Sequence, residues 1–394
     1  MRMRFSRSAR ISFVTLFAVC LLASAVFGLT ATQQHQSGKV RTYYIAADEV
    51  DWNYLPSGVD RMMGMKPVGY AKLYTQRGHG YIGSVYRKAM YREYTDSTFL
   101  HLKPRPPGQN YLGLVGPIIH AEVGDTVKVV FRNHGSHPYS IHPHGVSYTA
   151  AMEGAVQDRG MAMHDADGNS VAPGKTYTYI WQVPERAGPG PNDPSSIGWA
   201  YHSHVDERRD VNSGLIGAII VTRHGSARPD GTPSDVDREF VTYFMYFDEN
   251  HSWFLKDNVR RFIGKPDPKQ LYATTPFDSA GDFDPFMGSG MPAANFKSNM
   301  NGYQYANMPM PVMHRGEHVR WYVLTIGEGL NFHTPHWHGN SIVSGGNRAD
   351  VLNIAPAQSL TADMVPDNPG IWLYHCHVSD HMEAGMVARY QVLP

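Results

Sequence analysis

Short runs of alternating apolar and polar residues recur along the chain and predict β-strands. Residues 124–131 follow this pattern, and residues 316–323 repeat it in the second half of the chain. Successive side chains of a strand point to opposite faces of a sheet, so such a run has one face for the core and one for solvent. Turn residues separate the runs, and no segment has a convincing amphipathic helical pattern. The pattern predicts an all-β protein built of Greek-key β-sandwiches.

The two halves of the chain also repeat one histidine motif. Each half carries two His-x-His pairs after its alternating run, and a tyrosine precedes the second pair. In chain order, the pairs are His142 and His144, His202 and His204, His336 and His338, and His375 and His377. The segment between the copies, residues 224–237, is rich in Gly, Pro, Ser and Asp, which is typical of a loop. We predict two similar domains, at residues 32–226 and 236–394.

Composition agrees with a turn-rich β protein of two domains. The 394 residues exceed the usual size of one core and include 38 Gly and 27 Pro. Charged residues make up 18% and the formal net charge is zero, which argues against a coiled coil, a disordered chain or a nucleic-acid-binding protein. The chain has 21 His but only 2 Cys, too few for a disulfide scaffold or a zinc ribbon. Histidine is therefore the candidate metal ligand.

The N-terminal segment has the features of a secretory signal peptide. Residues 11–31 are uncharged and mostly apolar, follow several arginines, and contain small residues at 23–25. We predict that residues 1–31 are a signal peptide and that the protein is secreted or periplasmic. A retained membrane anchor is the alternative, because about 20 apolar residues span a bilayer. Removal of the segment takes Cys20 with it and leaves Cys376 as the one cysteine.

The histidine pairs predict a site for several copper ions. Residues i and i+2 of a strand face the same way, so each pair presents two imidazoles on one face. One such pair is easily a coincidence, but four pairs in corresponding positions of two repeats are not. Eight imidazoles without a carboxylate partner favour copper over calcium or magnesium.

The last pair adds a sulfur ligand. Cys376 lies between two histidines, so strand alternation sends it to the opposite face. There it is expected to meet His333, His381 and Met386. Two imidazoles, one thiolate and an axial thioether form a blue-copper electron-transfer site. The strand also joins the thiolate directly to two imidazoles of the cluster, which gives electrons a short covalent route.

These motifs resemble the copper-binding motifs of multicopper oxidases. The sequence around them is most similar to the branch of ceruloplasmin, hephaestin and the coagulation-factor A domains. The similar segments are residues 41–47, 51–54, 91–96, 113–119 and 247–253. The resemblance covers nearly the whole chain after the predicted leader. It implies two cupredoxin-like domains and an oxidase that couples one-electron oxidation of a reductant to four-electron reduction of O₂ to water.

The resemblance also implies a ligand set for four coppers per chain. A type 1 copper would have His333, Cys376, His381 and Met386. A type 2 copper would have His142 and His336. One type 3 copper would have His144, His202 and His377, and the other His204, His338 and His375. The completeness of this set weakens the interpretation as a non-catalytic module like the coagulation factors.

The first half departs from this pattern at the type 1 position. Ser203 stands where Cys376 stands, Tyr139 where His333 stands and Leu215 where Met386 stands. The first domain is therefore expected to have cluster ligands but no blue copper.

Resemblance to two-domain multicopper oxidases implies a homotrimer, closed as a ring, with each cluster at a contact between chains.

Two carboxylates are candidates for catalysis. Glu153 matches the acidic position that serves as proton donor in related oxidases. Asp380 precedes His381 and matches one of the acids around the blue copper of ferroxidases. The Glu-x-x-x-x-His of those proteins is absent, since Ala293 and Ser298 occupy its positions. The reductant therefore stays open between a phenol or aromatic amine (a laccase-like enzyme) and a metal ion (a metallo-oxidase).

Methionine clusters keep a third donor, Cu(I), open. They lie at residues 62–65, 161–163 and 308–313. Thioethers bind Cu(I), although methionine more often fills irregular packing.

Two other functions also stay open. A copper nitrite reductase has two similar domains and forms trimers, but its blue site lies in the first domain. A copper carrier would bind metal without consuming O₂.

Overall fold

The computed structural model describes residues 38–78, 80–156, 167–264, 293–329 and 331–394. Within it, Lys39–Pro394 form one compact unit. The predicted signal peptide, residues 1–31, and the methionine cluster at 161–163 lie outside the described residues. No helix of the described part is both long and apolar enough to cross a membrane.

Two four-stranded sheets come from the first half of the chain. Their strands are β1 Val40–Asn53, β2 Val85–Glu93, β3 Ile118–Glu122, β4 Thr126–Asn133, β5 His142–Pro143, β6 Thr176–Gln182, β7 Ser196–His202 and β8 Ile216–Thr222. One sheet has the order β2-β1-β4-β6 and the other β3-β8-β7-β5. In β4, Val127, Val129 and Phe131 are buried and their neighbours are partly exposed, as alternation predicts.

Two further sheets come from the second half. Their strands are β9 Arg238–Asp248, β10 Phe296–Met300, β11 Val312–His314, β12 Val319–Leu324, β13 Pro335–Trp337, β14 Ile342–Ser344, β15 Asn347–Ala349, β16 Ser359–Met364, β17 Gly370–Cys376 and β18 Val387–Leu393. The sheets have the orders β10-β9-β12-β16-β14-β15 and β11-β18-β17-β13. The all-β class predicted from the sequence is confirmed.

Strand β12 is buried on both faces, unlike its predicted counterpart β4. The first half of the chain packs against the outer face of β12. The hydroxyls of Tyr322 and Ser196 lie 2.6 Å apart there, and the guanidinium of Arg320 donates to Ser196 Oγ at 2.8 Å. Alternation along residues 316–323 therefore predicted the strand correctly but not the exposure of its polar face.

The described residues include four short α-helices: α1 Gly69–Thr75, α2 Glu207–Ser213, α3 Leu255–Phe262 and α4 Ser379–Glu383. Helices α2 and α4 each follow the second histidine pair of their half. The Asp206 carboxylate accepts from the Arg209 amide at 3.2 Å and caps α2, which fixes where the chain turns after the pair. One hydrophobic core contains buried residues of both halves, so the positions of the pairs depend on a common scaffold.

Candidate metal centres

The first centre is built around the one described cysteine. Strand β17 ends at Cys376, α4 carries His381, and the loop before β13 carries His333. The Nδ1 atoms of the two imidazoles lie 3.1 Å apart, and Cys376 Sγ lies 3.9 Å from the Nδ1 of His333 and 3.7 Å from that of His381. All three side chains are buried. The structure thus brings together three of the four residues of the predicted blue-copper site.

Hydrogen bonds around this group orient its ligand atoms. The Oδ1 atom of Asn331 lies 3.2 Å from His333 Nε2, and because a carbonyl oxygen only accepts, the proton is on Nε2 and the lone pair of Nδ1 faces the sulfur. The Thr334 amide donates to Cys376 Sγ at 3.3 Å. Met386, the predicted axial ligand, is buried, and its carbonyl accepts from the Cys376 amide at 3.2 Å.

The second group holds two histidine pairs of the second half. Antiparallel pairing of β13 with β17 sets His336 directly opposite His375. The Nε2 atoms of His338 and His375 face each other at 2.9 Å. The ring of His377 lies 5.2 Å from that of His336, between centroids. Strand pairing, and not only the His-x-His spacing, therefore gathers these four imidazoles.

The third group repeats the arrangement in the first half. Strand β5 pairs with β7, which sets His142 opposite His202. The Nε2 atoms of His144 and His202 lie 3.2 Å apart, and the ring of His204 lies 5.4 Å from that of His202, between centroids. The ring of Tyr148 lies 5.9 Å from His142. No sequence pattern predicted Tyr148 as a residue of this site.

Backbone carbonyls fix which nitrogen of three imidazoles faces its neighbours. The Nδ1 atoms of His142, His202 and His375 lie 2.7, 3.0 and 2.8 Å from the carbonyl oxygens of Glu153, Ser203 and Cys376. Because a carbonyl only accepts, Nδ1 carries the proton and Nε2 keeps the lone pair. A hydrogen bond from the second ring nitrogen is the usual support of a metal-binding histidine.

Burial keeps several imidazoles of these groups uncharged at neutral pH. Burial, together with the neighbouring imidazoles, lowers the pKa of His142, His144 and His375 to about 4. Burial likewise lowers the pKa of His381 to about 4 and raises the pKa of the Cys376 thiol. The Nε2 lone pairs of His142, His202 and His375 are therefore available to a metal ion. Donor sets of imidazoles, and of imidazoles with one thiolate, fit copper.

The histidine groups are separate within one chain. Across the described ranges, the sets of ligand atoms within 4.8 Å of one another are His142, His144 and His202, then His336, His338 and His375, then His333, Cys376 and His381. No set mixes residues of the two halves. The ligand set implied by the resemblance combines both halves in each cluster copper, so on that assignment each of the two histidine groups would be a half-cluster.

In the first half, a polar network occupies the position equivalent to the sulfur site. The hydroxyl of Ser203 donates to the buried Asp210 carboxylate at 2.6 Å, and Trp253 Nε1 donates to the same carboxylate at 2.8 Å. Burial raises the pKa of Asp210 to about 6, although these hydrogen bonds oppose the shift. Tyr139 and Leu215 are buried. Asp210 was not predicted, because nothing in its spacing distinguishes it from a solvent-exposed helix acid.

The two predicted catalytic acids, Glu153 and Asp380, lie next to different candidate ligands and differ in solvent exposure. Glu153 is half-buried, and its own carbonyl, described above, holds His142. Asp380 is exposed in the first turn of α4, directly before His381. Ser298, at a position where the ferroxidase pattern requires a histidine, is buried and donates to the His381 carbonyl at 3.0 Å. Ser298 therefore contacts the loop that carries His381, but it does not supply the imidazole that the ferroxidase pattern has at this position.

Sequence comparison finds a matching family and similar known proteins. Two models of the multicopper oxidase family match residues 112–226 and 274–394. Human ferroxidase HEPHL1 is 41% identical over 89% of this chain and 29% of its own length. Human hephaestin is 38% identical over 93% of this chain and 30% of its own length, and mouse ceruloplasmin 39% over 91% and 32%. The chain thus spans about three tenths of the length of these relatives.

Solved structures show the same fold at low sequence identity. A crystal structure of a multicopper oxidase superimposes with a TM-score of 0.53 at 18% identity, covering 90% of this chain and 89% of its own. A blue copper oxidase from Nitrosomonas europaea gives 0.52 at 18% identity, covering 90% and 86%. The predicted cupredoxin-like sandwich fold agrees with these neighbours.

Proposed function

Because the chain belongs to the multicopper oxidase family, we propose that it oxidises a one-electron reductant at the Cys376 site and reduces O₂ to water at a histidine cluster. One observation carries the proposal: His375 and Cys376 are adjacent in β17 but belong to two different groups of ligand atoms. Copper at these positions supplies one-electron transfer and the four-electron reduction of O₂.

The proposed ligand assignment follows the resemblance, at four coppers per chain. His333, Cys376, His381 and Met386 would hold type 1 copper, and His142 with His336 would hold type 2. The remaining imidazoles would hold the type 3 pair: His144, His202 and His377 on one side, and His204, His338 and His375 on the other. The tautomers fixed at His142, His202 and His375 support this assignment.

We further propose that two cupredoxin-like domains, residues 32–226 and 236–394, meet between chains. A half-cluster of one copy would face the complementary half-cluster of the next, and a closed ring of three copies satisfies every half-cluster. Light scattering and copper analysis test this arrangement. A homotrimer with four coppers per chain supports it, whereas an active, fully copper-loaded monomer contradicts it.

Proton delivery and reductant binding are assigned to two different carboxylates. Glu153 would deliver protons beside His142, and Asp380 would help to position a reductant next to His381. Phe332 adjoins His333 and is 58% exposed, which offers an apolar contact for an aromatic donor. The predicted leader, residues 1–31, would direct the protein out of the cytoplasm, as a secreted, periplasmic or anchored enzyme.

Oxygen uptake by the copper-loaded protein tests the proposed activity. Fe(II), Cu(I) and a phenol are supplied in parallel, with Cys376→Ser protein as the control. Uptake with at least one donor, absent in the control, supports an oxidase. Nitrite reduction without O₂ uptake would indicate a copper nitrite reductase, and bound copper with neither activity would indicate a carrier.

A further inference from the structure

A cleft with a volume of about 880 Å³ is lined mainly by residues of the first half of the chain. A volume of this order accommodates a small organic molecule. None of the described residues that line it is a candidate metal ligand. The cleft is therefore a feature separate from the metal centres, and the proposed oxidase reaction makes no use of it.

Arg105 brings a positive charge to this cleft without a carboxylate partner. Its Nη2 atom donates to the Val115 carbonyl at 2.6 Å, and in the described part of the chain no carboxylate lies within ion-pair distance of its guanidinium. The side chain is half-buried, and burial lowers the pKa of Arg105, although an arginine stays protonated at neutral pH. A partly desolvated guanidinium with remaining N–H donors is stabilised by an anion.

The other cations of the cleft differ from Arg105, because each has a carboxylate of its own. Lys103 Nζ lies 2.8 Å from the Glu93 carboxylate, and Arg92 Nη1 lies 3.5 Å from that of Asp48. These two charges are therefore compensated within the protein. The positive charge that is left for a ligand is the one on Arg105.

Aromatic rings form a wall of the cleft next to this charge. Trp52 Nε1 donates to the Gly302 carbonyl at 2.6 Å, and the ring of Tyr303 lies 5.2 Å from that of Trp52, between centroids. Burial raises the pKa of Tyr303, and the charge of Arg105 opposes this shift, so the two side chains are within electrostatic reach. Among the residues that the structure describes, the Tyr303 hydroxyl has no hydrogen-bond partner. It is a second donor available to an anion.

The remaining charges restrict the anion to a single negative charge. Asp51, Glu93 and Asp230 also line the cleft. Each already accepts a hydrogen bond from a neighbouring side chain, but their negative charges still repel a multivalent anion. The planar fork of a guanidinium matches the two oxygens of a carboxylate. A monovalent carboxylate with an apolar body is therefore the class of ligand that this cleft fits.

We propose that the cleft binds a small aromatic carboxylate, held by the guanidinium of Arg105 and the hydroxyl of Tyr303. The carboxylate accepts from both donors, and the aromatic body packs against the rings of Trp52 and Tyr303. Binding is non-covalent and uses none of the candidate metal ligands. The site therefore stands or falls independently of the proposed oxidase function.

Benzoate is the probe for this site, because it carries one carboxylate on an aromatic ring and has no phenolic group to be oxidised. The copper-loaded protein is titrated with benzoate by calorimetry, next to benzamide, which has the same shape without the charge, and inorganic phosphate, which lacks the aromatic body. We expect benzoate to bind at least about tenfold more tightly than either. No binding of benzoate overturns the proposal, and so does equal binding of benzamide or of phosphate.

Substitutions locate the bound carboxylate. Arg105→Gln should weaken benzoate binding at least about tenfold, and Arg105→Lys should weaken it less, because lysine keeps the charge and loses the planar fork. Tyr303→Phe, which keeps the ring and removes the hydroxyl, should weaken it about fivefold. Arg260→Gln is the matched control, since the Arg260 side chain is 78% exposed on α3 and lies outside the cleft. It should bind benzoate as the unmodified protein does.

The visible absorption of copper separates this site from anion binding at the metal centres. Benzoate that occupies the cleft should leave the spectrum of the copper-loaded protein unchanged. Equal benzoate affinity of Arg105→Gln and the unmodified protein overturns the proposal, and a benzoate-dependent change in the spectrum with that result places the anion at copper. Circular dichroism checks the fold of each variant. If Arg105→Gln does not fold, Arg105→Lys and Tyr303→Phe decide by the same criterion.

Discussion

The imidazole of His375 donates its Nδ1 proton to the main-chain carbonyl of Cys376, 2.8 Å away. This bond fixes the tautomer of His375 and turns its Nε2 toward His338. It also adds a hydrogen-bonded connection between the sulfur site and the histidine group, in parallel with the peptide bond. His202 makes the same contact to Ser203, where no sulfur is present. Both halves therefore orient an imidazole by the same contact to the next residue's carbonyl. In the second half that next residue is a cysteine, which also supplies the sulfur ligand.

Replacement of Cys376 by serine should separate the two kinds of centre. We expect Cys376→Ser protein to lose the intense visible absorption of a thiolate–copper bond and to bind one copper fewer per chain. Turnover should fall to background, because the entry point for electrons is gone. Absorption spectra, metal analysis and O₂ uptake measure these effects, and circular dichroism checks that the fold is kept. Retained blue absorption would place the type 1 site elsewhere.

Local periodicity explains what the sequence could predict about the site. A period of two residues puts His375 and Cys376 on opposite faces of β17, and the structure assigns them to separate groups accordingly. The all-β class follows from the same periodicity. The grouping of His333 with Cys376, more than 40 residues later, could be expected only from the chemistry of a known kind of site.

Contacts between segments that lie far apart in sequence could not be predicted in this way. Both faces of β12 are buried because Ser196 of the first half reaches Tyr322. Ser298 contacts the ligand loop because β10 pairs with the edge of β9. The Arg61 amide likewise donates to the distant Tyr305 carbonyl at 3.0 Å. Each contact joins segments far apart in sequence, so no local pattern marks it.

Glu153→Gln should slow O₂ reduction while leaving the Cys376 site intact. The Glu153 carbonyl that holds His142 belongs to the backbone, so the substitution keeps that hydrogen bond and removes only the acid. If the carboxyl group delivers protons, we expect turnover to fall by about 10²–10⁴-fold, the usual contribution of a general acid. Visible absorption, stopped-flow reoxidation by O₂ and steady-state O₂ uptake provide the comparison. Unchanged turnover would remove Glu153 from the mechanism.

The buried pair Lys88 and Glu249 should couple the two halves of the chain. Lys88 lies in β2 and Glu249 follows β9, and both side chains are fully buried in direct contact. Tyr54 donates to the same Glu249 carboxylate at 2.5 Å. Lys88→Met should cost about 3–5 kcal/mol of unfolding free energy, because it leaves a buried carboxylate unpaired.

A double-mutant cycle isolates this coupling. Lys88→Met with Glu249→Gln should cost less than the sum of the single substitutions, as measured by chemical denaturation. The exposed pair Lys103 and Glu93, 2.8 Å apart, is the matched control, and Lys103→Met should cost at most about 1 kcal/mol. Strict additivity at Lys88 and Glu249 would show that the pair contributes no coupling.

The carboxylate of Glu317 should make stability depend on acidic pH. It receives Arg238 Nε at 2.6 Å, Arg238 Nη2 at 3.0 Å and the His314 amide at 2.7 Å. Burial alone would raise the pKa of Glu317, but these hydrogen bonds outweigh it and lower the pKa from 4.5 to about 2. A depressed pKa means that the stabilisation is present above pH 4.5 and is lost as the pH falls toward 2. Since the side chain is partly exposed, we expect about 1–2 kcal/mol.

Glu317→Gln provides the measurement for this prediction. The unfolding free energies of the unmodified protein and the variant should differ most near neutral pH and converge as the pH falls from 4.5 to about 2. The comparison between the two proteins cancels the titration of the ligand histidines, which both retain. Glu185→Gln, at an exposed acid, is the control for the loss of one carboxylate charge. A gap between the unmodified protein and Glu317→Gln that stays constant with pH would assign the role of Glu317 to packing and not to its charge.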